Sequence, residues 1–246
     1  MNIYHLTYSP EPKTVCLHFW GCNLSCRACL CHKEIYDCHL EETKEAIFQP
    51  DKLAESAPET FLPLNQIQEV LRSLEVQQVI FMGQEPTIDP ELPELARELH
   101  REFGSHNILL TNGFKVLPVA DFDEVVFSIK AYTDSLHRDY TGKSNQEALD
   151  NFLYLYKSGV KLRAESIFIP EYIEHNEIEN IAKFIARIDK NIPYRVDAYL
   201  QVAGNPWRRP SIDEMKAAVT AAKRHLNNVS CLTGNEELRN KVIRII

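Results

Sequence analysis

The segment TVCLHFWGCNLSCRACLC, Thr14–Cys31, joins an apolar run to a loop that carries four cysteines within ten residues. The apolar run, Thr14–Phe19, predicts a buried β-strand that ends at a Trp-Gly pair. The first three cysteines of the loop have the spacing C-x3-C-x2-C and are Cys22, Cys26 and Cys29. This strand and its thiol-rich loop largely decide what fold and what chemistry the sequence predicts.

The composition is that of an ordinary globular enzyme. The chain has 246 residues, of which 44% are hydrophobic and 25% charged, and its net charge is −8. The length suits one large domain or two small ones. A net negative charge argues against a nucleic-acid binder with a broad basic face, so nucleic acid is not an expected partner.

The sequence also predicts a cytoplasmic location. No apolar run approaches the roughly 20 residues that span a bilayer, and the first residues, MNIYHLTYSPEPKT, lack the layout of a signal peptide. In a reducing compartment, clustered cysteines are metal ligands or catalytic thiols more often than disulfides. The odd total of seven cysteines also fits a disulfide framework poorly.

Strand and helix patterns alternate along the chain. Five more apolar runs predict strands, at Gln78–Met82, Asn107–Leu110, Glu124–Ser128, Leu162–Ile169 and Tyr194–Leu200. Amphipathic helical patterns separate them, and two of these begin with a predicted capping box, Ser144 with Glu147 and Ser211 with Glu214. Alternation of this kind predicts βαβ units around a parallel sheet, open or curled.

The domain organisation predicted from these patterns is a single domain over residues 1–246. The polar and acidic stretch 33–61 breaks the alternation and is interpreted as an insertion after the cysteine loop. Residues 201–246 are interpreted as a C-terminal helical extension.

Three interpretations of the clustered thiols remain open from the residues themselves. They are buried structural cysteines, a zinc site completed by Cys31 or His32, or ligands of an iron–sulfur cluster. Structural zinc normally uses two separated C-x2-C pairs, and a partner pair is missing. Three thiolates on one loop can bind three irons of a cubane, which leaves the fourth iron open to a ligand that is not protein.

The motif C-x3-C-x2-C directly after a first strand resembles the signature of the radical S-adenosylmethionine (radical SAM) superfamily. The resemblance implies that Cys22, Cys26 and Cys29 bind a 4Fe-4S cluster and that SAM chelates the fourth iron. It extends to MGQEP, Met82–Pro86, which is similar to the family's GGEP segment at the SAM amino group. By the same resemblance Gly83 and Glu85 are expected to bind the cofactor.

Two later strand ends resemble the members that activate glycyl radical enzymes, such as pyruvate formate-lyase activating enzyme. TNG at 111–113 gives Thr111 and Asn112 as expected cofactor-binding residues. The fourth predicted strand ends in Ser128-Ile129-Lys130, where those relatives carry Asp-x-Lys, so Ser128 and Lys130 are expected near SAM. HRDYTGKSN at 137–145 and the IFIP segment with its following helix resemble the same subgroup. No catalytic side chain is identified.

The resemblance implies an α/β fold of the radical SAM type, a partial TIM-like (β/α)6 barrel with its site at the carboxyl ends of the strands. The implied cofactors are a 4Fe-4S cluster and SAM, with flavodoxin or ferredoxin as electron donor and no membrane partner. The implied reaction is reductive cleavage of SAM to a 5′-deoxyadenosyl radical that abstracts hydrogen from the substrate.

Three functions stay open at this point. The first is activation of a glycyl radical enzyme, and the second is a stand-alone enzyme that modifies a small molecule, a peptide or a tRNA-related precursor. The third is an iron–sulfur module without enzymatic activity. The compact size, the TNG and TGKSN segments and Lys130 favour the first, which is the function we expect. The departures from the activating-enzyme pattern favour the second, namely Ala28 where an aromatic residue is common, the CLC sequence, and the insertion at 33–61. A second cluster, with Cys31 and Cys38 as the pair to consider, is a further open question.

Overall fold

A computed structural model describes residues 1–32, 40, 58–202, 204–236 and 240–246. Within those residues nine strands form one sheet. The strands are β1 (Ile3–Ser9), β2 (Thr14–Phe19), β3 (Gln78–Gly83), β4 (His106–Thr111), β5 (Glu124–Ser128), β6 (Lys161–Phe168), β7 (Tyr194–Ala198), β8 (Val229–Leu232) and β9 (Ile243–Arg244). The insertion predicted at 33–61 lies outside the described residues, apart from Leu40 and the stretch 58–61.

The sheet is open and mostly parallel. Its strand order is β8-β7-β6-β5-β4-β3-β2-β1-β9, so β8 and β9 form its two edges. Every neighbouring pair from β2 to β8 is parallel, whereas β1 pairs antiparallel with both β2 and β9. This is the parallel-rich α/β architecture of a partial TIM-like barrel that the sequence predicted.

Helices connect the parallel strands and cover one face of the sheet. They are α1 (Leu64–Arg72), α2 (Leu92–Phe103), α3 (Asp134–Thr141), α4 (Gln146–Ser158), α5 (His175–Ile188) and α6 (Ile212–Lys223). In α5 a stripe of apolar side chains is fully buried, namely Ile178, Ile181, Ala182 and Ile185. Burial of such stripes against the sheet supplies most of the stabilisation of each helix. No helix among the described residues has the length and apolar character needed to cross a membrane.

One of the two predicted capping boxes forms. Ser211 and Glu214 cap α6 reciprocally, and the Ser211 hydroxyl accepts a hydrogen bond from the Glu214 backbone N–H. The box predicted at Ser144 is wrong, because α4 begins after Asn145 as its N-cap. The Ser144 hydroxyl instead donates to the Asp134 carboxylate over 2.6 Å, so a tertiary partner replaces the local one.

All six predicted strands are present, and three strands were missed. The first, β1, mixes polar and apolar residues and precedes the cysteine motif. The other two, β8 and β9, are only four and two residues long, too short for a clear pattern. The predicted C-terminal helical extension thus contains α6 together with two short strands.

The end of β3 lies very close to β2, and Gly83 makes this approach possible. Gly83 has φ +109°, and a Cβ on it would lie 2.6 Å from both the backbone N and the backbone O of Phe19. The contact involves backbone on both sides, so no side chain can move aside. Glycine is therefore required where β3 meets the start of the cysteine loop.

We expect Gly83→Ala to lower the free energy of unfolding by about 2–4 kcal/mol, because it combines a strained positive φ with a backbone clash. Gly104→Ala is the matched control, since Gly104 also has positive φ but has nothing within 4 Å of its Cβ position. That control should cost only about 1 kcal/mol. Urea unfolding of both variants measures the difference, and equal losses would contradict the close-approach argument.

Candidate functional site

The residues predicted to be functional lie on loops at one edge of the sheet. The cysteine loop follows β2, and the other three segments each begin at the last residue of a strand. They are Gly83–Pro86 at the end of β3, Thr111–Gly113 at the end of β4 and Ser128–Lys130 at the end of β5. Because these strands are parallel neighbours, their carboxyl ends meet at the same edge. The topology therefore brings the four predicted motifs together.

Backbone contacts fix where the cysteine loop leaves β2. The Gly21 carbonyl accepts a hydrogen bond from the Glu85 N–H, and the Gly21 N–H donates to the Gln84 side chain, both over 3.0 Å. Gly21 itself has φ +98°, a conformation that suits glycine. Gln84 stands where the family's GGEP segment has a small residue, and here its side chain supports the turn before Cys22.

The three predicted cluster ligands lie close together and differ in how far they are buried. Cys22 is exposed, Cys29 is partly buried and Cys26 is buried. The Cys22 sulfur accepts N–H groups from the Leu24 backbone at 3.4 Å and from the Asn112 side chain at 3.6 Å. Burial raises the pKa of Cys26 to about 11, with nearby Lys130 opposing that rise. Burial also raises the pKa of Cys22.

Lys130 lies close enough to the three thiols for their charges to affect its pKa, and contact of Ser128 and Lys130 with SAM stays a prediction. The Lys130 ammonium donates to the Ser128 hydroxyl over 2.7 Å. Burial acts to lower the pKa of Lys130, but the negative charges of Cys26, Glu165, Cys29 and Cys22 outweigh it, and the pKa is raised. An ammonium held beside three thiols is suited to attract a carboxylate or another anion.

Glu85 is buried and joins two loops. One carboxylate oxygen accepts from the Thr87 N–H at 3.2 Å, the Thr87 hydroxyl at 2.5 Å and the Thr111 hydroxyl at 2.7 Å. The other oxygen accepts from the Asn112 N–H at 2.6 Å. Burial raises the pKa of Glu85 against these hydrogen bonds. Both oxygens are thus engaged, so the geometry gives the side chain a positioning role beneath the loops.

Asn112 extends this network to the cysteine loop. Its side-chain amide donates to the Asn23 side chain over 2.7 Å as well as to the Cys22 sulfur, and its amide oxygen accepts from the Phe114 N–H. The residues predicted as cofactor-binding at 85, 111 and 112 are therefore linked in a chain that ends at a predicted cluster ligand. Direct contact of their side chains with SAM stays a prediction.

A fourth thiol lies beside the predicted ligands. The Cys31 sulfur is 3.7 Å from the Gly83 carbonyl oxygen, and its pKa is raised by a hydrogen bond with Cys29 and by burial. Cys38, its proposed companion in a second cluster, lies outside the described residues, as does the side chain of His32. Among the side chains that the structure describes, no three Cys, His, Asp or Glu could hold a single metal ion.

The donor set fits an iron–sulfur cluster. Thiolates that bind different corners of a cubane need not converge on one point, unlike the ligands of a single zinc ion. The N–H groups that reach the Cys22 sulfur and the nearby Lys130 ammonium favour the thiolate that a cluster needs, and they oppose the burial that raises the pKa of Cys22 and Cys26. The residues that would hold such a cluster are Cys22, Cys26 and Cys29.

A charged group on β6 and β7 was missed by the sequence analysis. The Arg195 guanidinium donates to Glu165 over 2.7 Å and to the two oxygens of Asp197 over 2.7 and 2.9 Å. Burial raises the pKa of Asp197 to about 6, although Arg195 opposes that rise. Polar residues at alternate positions of both strands were the available signal, and they mark a polar face opposite the helices.

Comparison with protein families matches residues 17–185 to a family described as the Radical SAM superfamily. The chain belongs to the Radical SAM superfamily. It is accordingly a radical SAM enzyme, and the cofactors of that superfamily are a 4Fe-4S cluster and SAM. The matched residues include the end of β2, the cysteine loop and the strands β3 to β6.

Individual relatives agree with this assignment. A protein of Methanocaldococcus jannaschii, whose name proposes a glycyl-radical enzyme activating enzyme, is 29% identical over 239 residues, which cover 94% of this chain and 84% of that protein. Two solved structures share the radical SAM fold. A domain of pyruvate-formate lyase-activating enzyme from Bacteroides vulgatus has TM-score 0.54 at 15% identity, covering 63% of this chain and 98% of that one. SuiB of Streptococcus suis bound to SAM has TM-score 0.61 at 16% identity, covering 89% of this chain and 48% of that one.

We expect Glu85→Gln to destabilise the protein by about 1–3 kcal/mol. Each Glu85 oxygen accepts a backbone N–H, so either orientation of the glutamine amide places its NH2 against a donor. Relief from burying a charge offsets part of that loss. Glu94→Gln on the exposed face of α2 is the control and should change stability by no more than about 0.5 kcal/mol. Urea unfolding measures both variants. Equal unfolding midpoints for Glu85→Gln and Glu94→Gln would show that the hydrogen bonds of Glu85 do not contribute to stability.

Proposed function

We propose that this radical SAM enzyme activates a glycyl radical enzyme, which makes its substrate a partner protein. The observation that carries the proposal is the similarity to the Methanocaldococcus jannaschii protein along nearly the whole chain. The TNG segment, Lys130 and the TGKSN segment at 141–145 support it, because they resemble activating enzymes at separate strand ends.

The proposed roles of the site residues follow from their positions. Cys22, Cys26 and Cys29 hold the cluster, and Lys130 with Ser128 binds the carboxylate or ribose of SAM. Gly83 lets the end of β3 lie against the backbone of Phe19, and the backbone that follows is proposed to bind the SAM amino group. Glu85, Thr111 and Asn112 hold these loops in register.

When bound and reduced, the cluster and SAM supply a 5′-deoxyadenosyl radical, and the protein supplies binding, orientation and exclusion of water. The proposed electron donor is a flavodoxin or a ferredoxin. The hydrogen-bonded loops at the strand ends keep the thiols, the ammonium and the buried carboxylate in fixed positions before any cofactor binds. The cytoplasmic location expected from the sequence remains a prediction.

One observation favours the alternative of a stand-alone enzyme that modifies a small molecule or peptide. The face of β6 and β7 opposite the helices carries the charged group Glu165, Arg195 and Asp197. A polar wall of this kind suits a polar substrate.

The test uses the full chain, reconstituted anaerobically with iron and sulfide, with SAM and a reductant. We expect 5′-deoxyadenosine from the wild type and at least about a hundredfold less from Cys26→Ala, because loss of a ligand removes the cluster. Cys231→Ala is the matched control, since Cys231 lies on β8 away from the motif, and it should keep wild-type activity. Full activity of Cys26→Ala would contradict the ligand assignment.

The partner is tested by electron paramagnetic resonance. The tagged protein is isolated anaerobically from its native host together with bound proteins and then supplied with SAM and reductant. A glycine-centred radical on a large partner, absent with Cys26→Ala, is the expected result. If 5′-deoxyadenosine forms but no protein radical appears, and a small molecule or peptide stimulates SAM cleavage instead, the stand-alone function replaces the proposed one.

A further inference from the structure

Arg27 lies inside the cysteine motif, between Cys26 and Cys29, and its side chain is held by aromatic rings. The guanidinium carbon is 4.9 Å from the centre of the Trp207 ring and 5.4 Å from the centre of the Tyr172 ring. The guanidinium also forms an ion pair with Asp139 at 2.8 Å. A planar guanidinium can stack on a ring and pair with a carboxylate at the same time, which a lysine cannot do as well.

The partners of Arg27 are themselves bound to one another. The rings of Tyr172 and Trp207 stack with centres 4.2 Å apart and planes at 17°. The Tyr172 hydroxyl donates to the Asp139 carboxylate over 2.5 Å. We name Arg27, Asp139, Tyr172 and Trp207 the aromatic clamp, and Trp207, although near the surface, is buried within it.

The aromatic clamp joins four connections at the carboxyl edge of the sheet. Arg27 follows β2, Asp139 is on α3 after β5, Tyr172 follows β6 and Trp207 follows β7. The Asn205 side chain adds a hydrogen bond to the Arg27 carbonyl over 2.7 Å. Trp207, in the loop after β7, thus reaches across to the cysteine motif.

Backbone contacts beside the aromatic clamp hold the same loop. The N–H groups of Ser25 and Arg27 donate to the carbonyls of Thr141 and Tyr140 at the end of α3, both over 3.0 Å. Those hydrogen bonds lie on either side of Cys26. A loop that opened at Arg27 would therefore also release the two amides that flank the buried thiol.

We propose that Arg27 is a positioning residue, and that the aromatic clamp keeps the cysteine loop closed and so slows its local opening and the loss of iron. This role is independent of the substrate, so it does not depend on activation of a glycyl radical enzyme. Trp207 contacts the loop through the Arg27 side chain, and neither residue is proposed to bind SAM or the cluster. We expect their substitution to change how long the cluster stays bound, rather than the rate of the chemical step.

The first measurement is hydrogen exchange of the cluster-loaded full chain. In Arg27→Gln and in Trp207→Leu we expect the amides of residues 22–29 to exchange about 10-fold faster, because loss of a partly buried cation–π contact shifts the local opening equilibrium by about that factor. Arg208→Gln is the control, since Arg208 adjoins Trp207 but pairs with Glu214 on α6. Peptides from β3 to β6 should be unchanged in every variant.

The second measurement is release of iron to bathophenanthroline disulfonate under anaerobic conditions, followed as decay of the cluster absorbance. Both clamp variants should lose iron about 10-fold faster than the wild type, and the double variant no faster than either single one, because the two residues act as a unit. Three outcomes overturn the proposal. They are rates within twofold of the wild type, an equal effect of Arg208→Gln, and acceleration of exchange throughout the sheet, which would show general destabilisation.

Discussion

The buried carboxylate of Glu85 is the interaction on which the candidate site depends. Four donors from the loops after β3 and β4 converge on its two oxygens. Through Asn112 the same network reaches the sulfur of Cys22. Burying a charged group is costly unless its hydrogen bonds are complete. Moving either loop would break hydrogen bonds to the buried carboxylate, so the carboxylate holds the two loops in place. The cysteine loop is thereby hydrogen-bonded to the loop at the end of β4.

Two further constraints act on the same loop from other directions. Gly83 allows the backbone of β3 to approach Phe19, which sets the exit of the loop from β2. The aromatic clamp holds Arg27 from the side of α3 and of the loops after β6 and β7. A loop that must present three thiols to one cluster loses much conformational entropy on ordering. Packing it from several sides before the cofactor binds offsets that loss, which is the general meaning of preorganisation for a site of this kind.

Much of the fold could be predicted because its signals are local. Each parallel strand is a short apolar run followed by a turn, and the cysteine motif occupies three positions of one loop. The interactions that organise the site are not local. Arg27 and Trp207 are far apart in the chain, and nothing in the sequence pairs them. The alternating polar residues of β6 and β7 did carry a signal, but the dominant apolar character of those runs obscured it. Ser144 shows the same limit, because a tertiary partner displaced the predicted local cap.

The central claim is that the polypeptide leaves one iron of a thiolate-held cluster open to SAM. Electron paramagnetic resonance of the reduced, reconstituted protein, recorded with and without SAM, tests that claim most directly. The account predicts the signal of a reduced 4Fe-4S cluster whose g-values change when SAM is added, because SAM becomes a ligand of the open iron. A signal that SAM leaves unchanged, or a colourless protein that contains zinc, would contradict it.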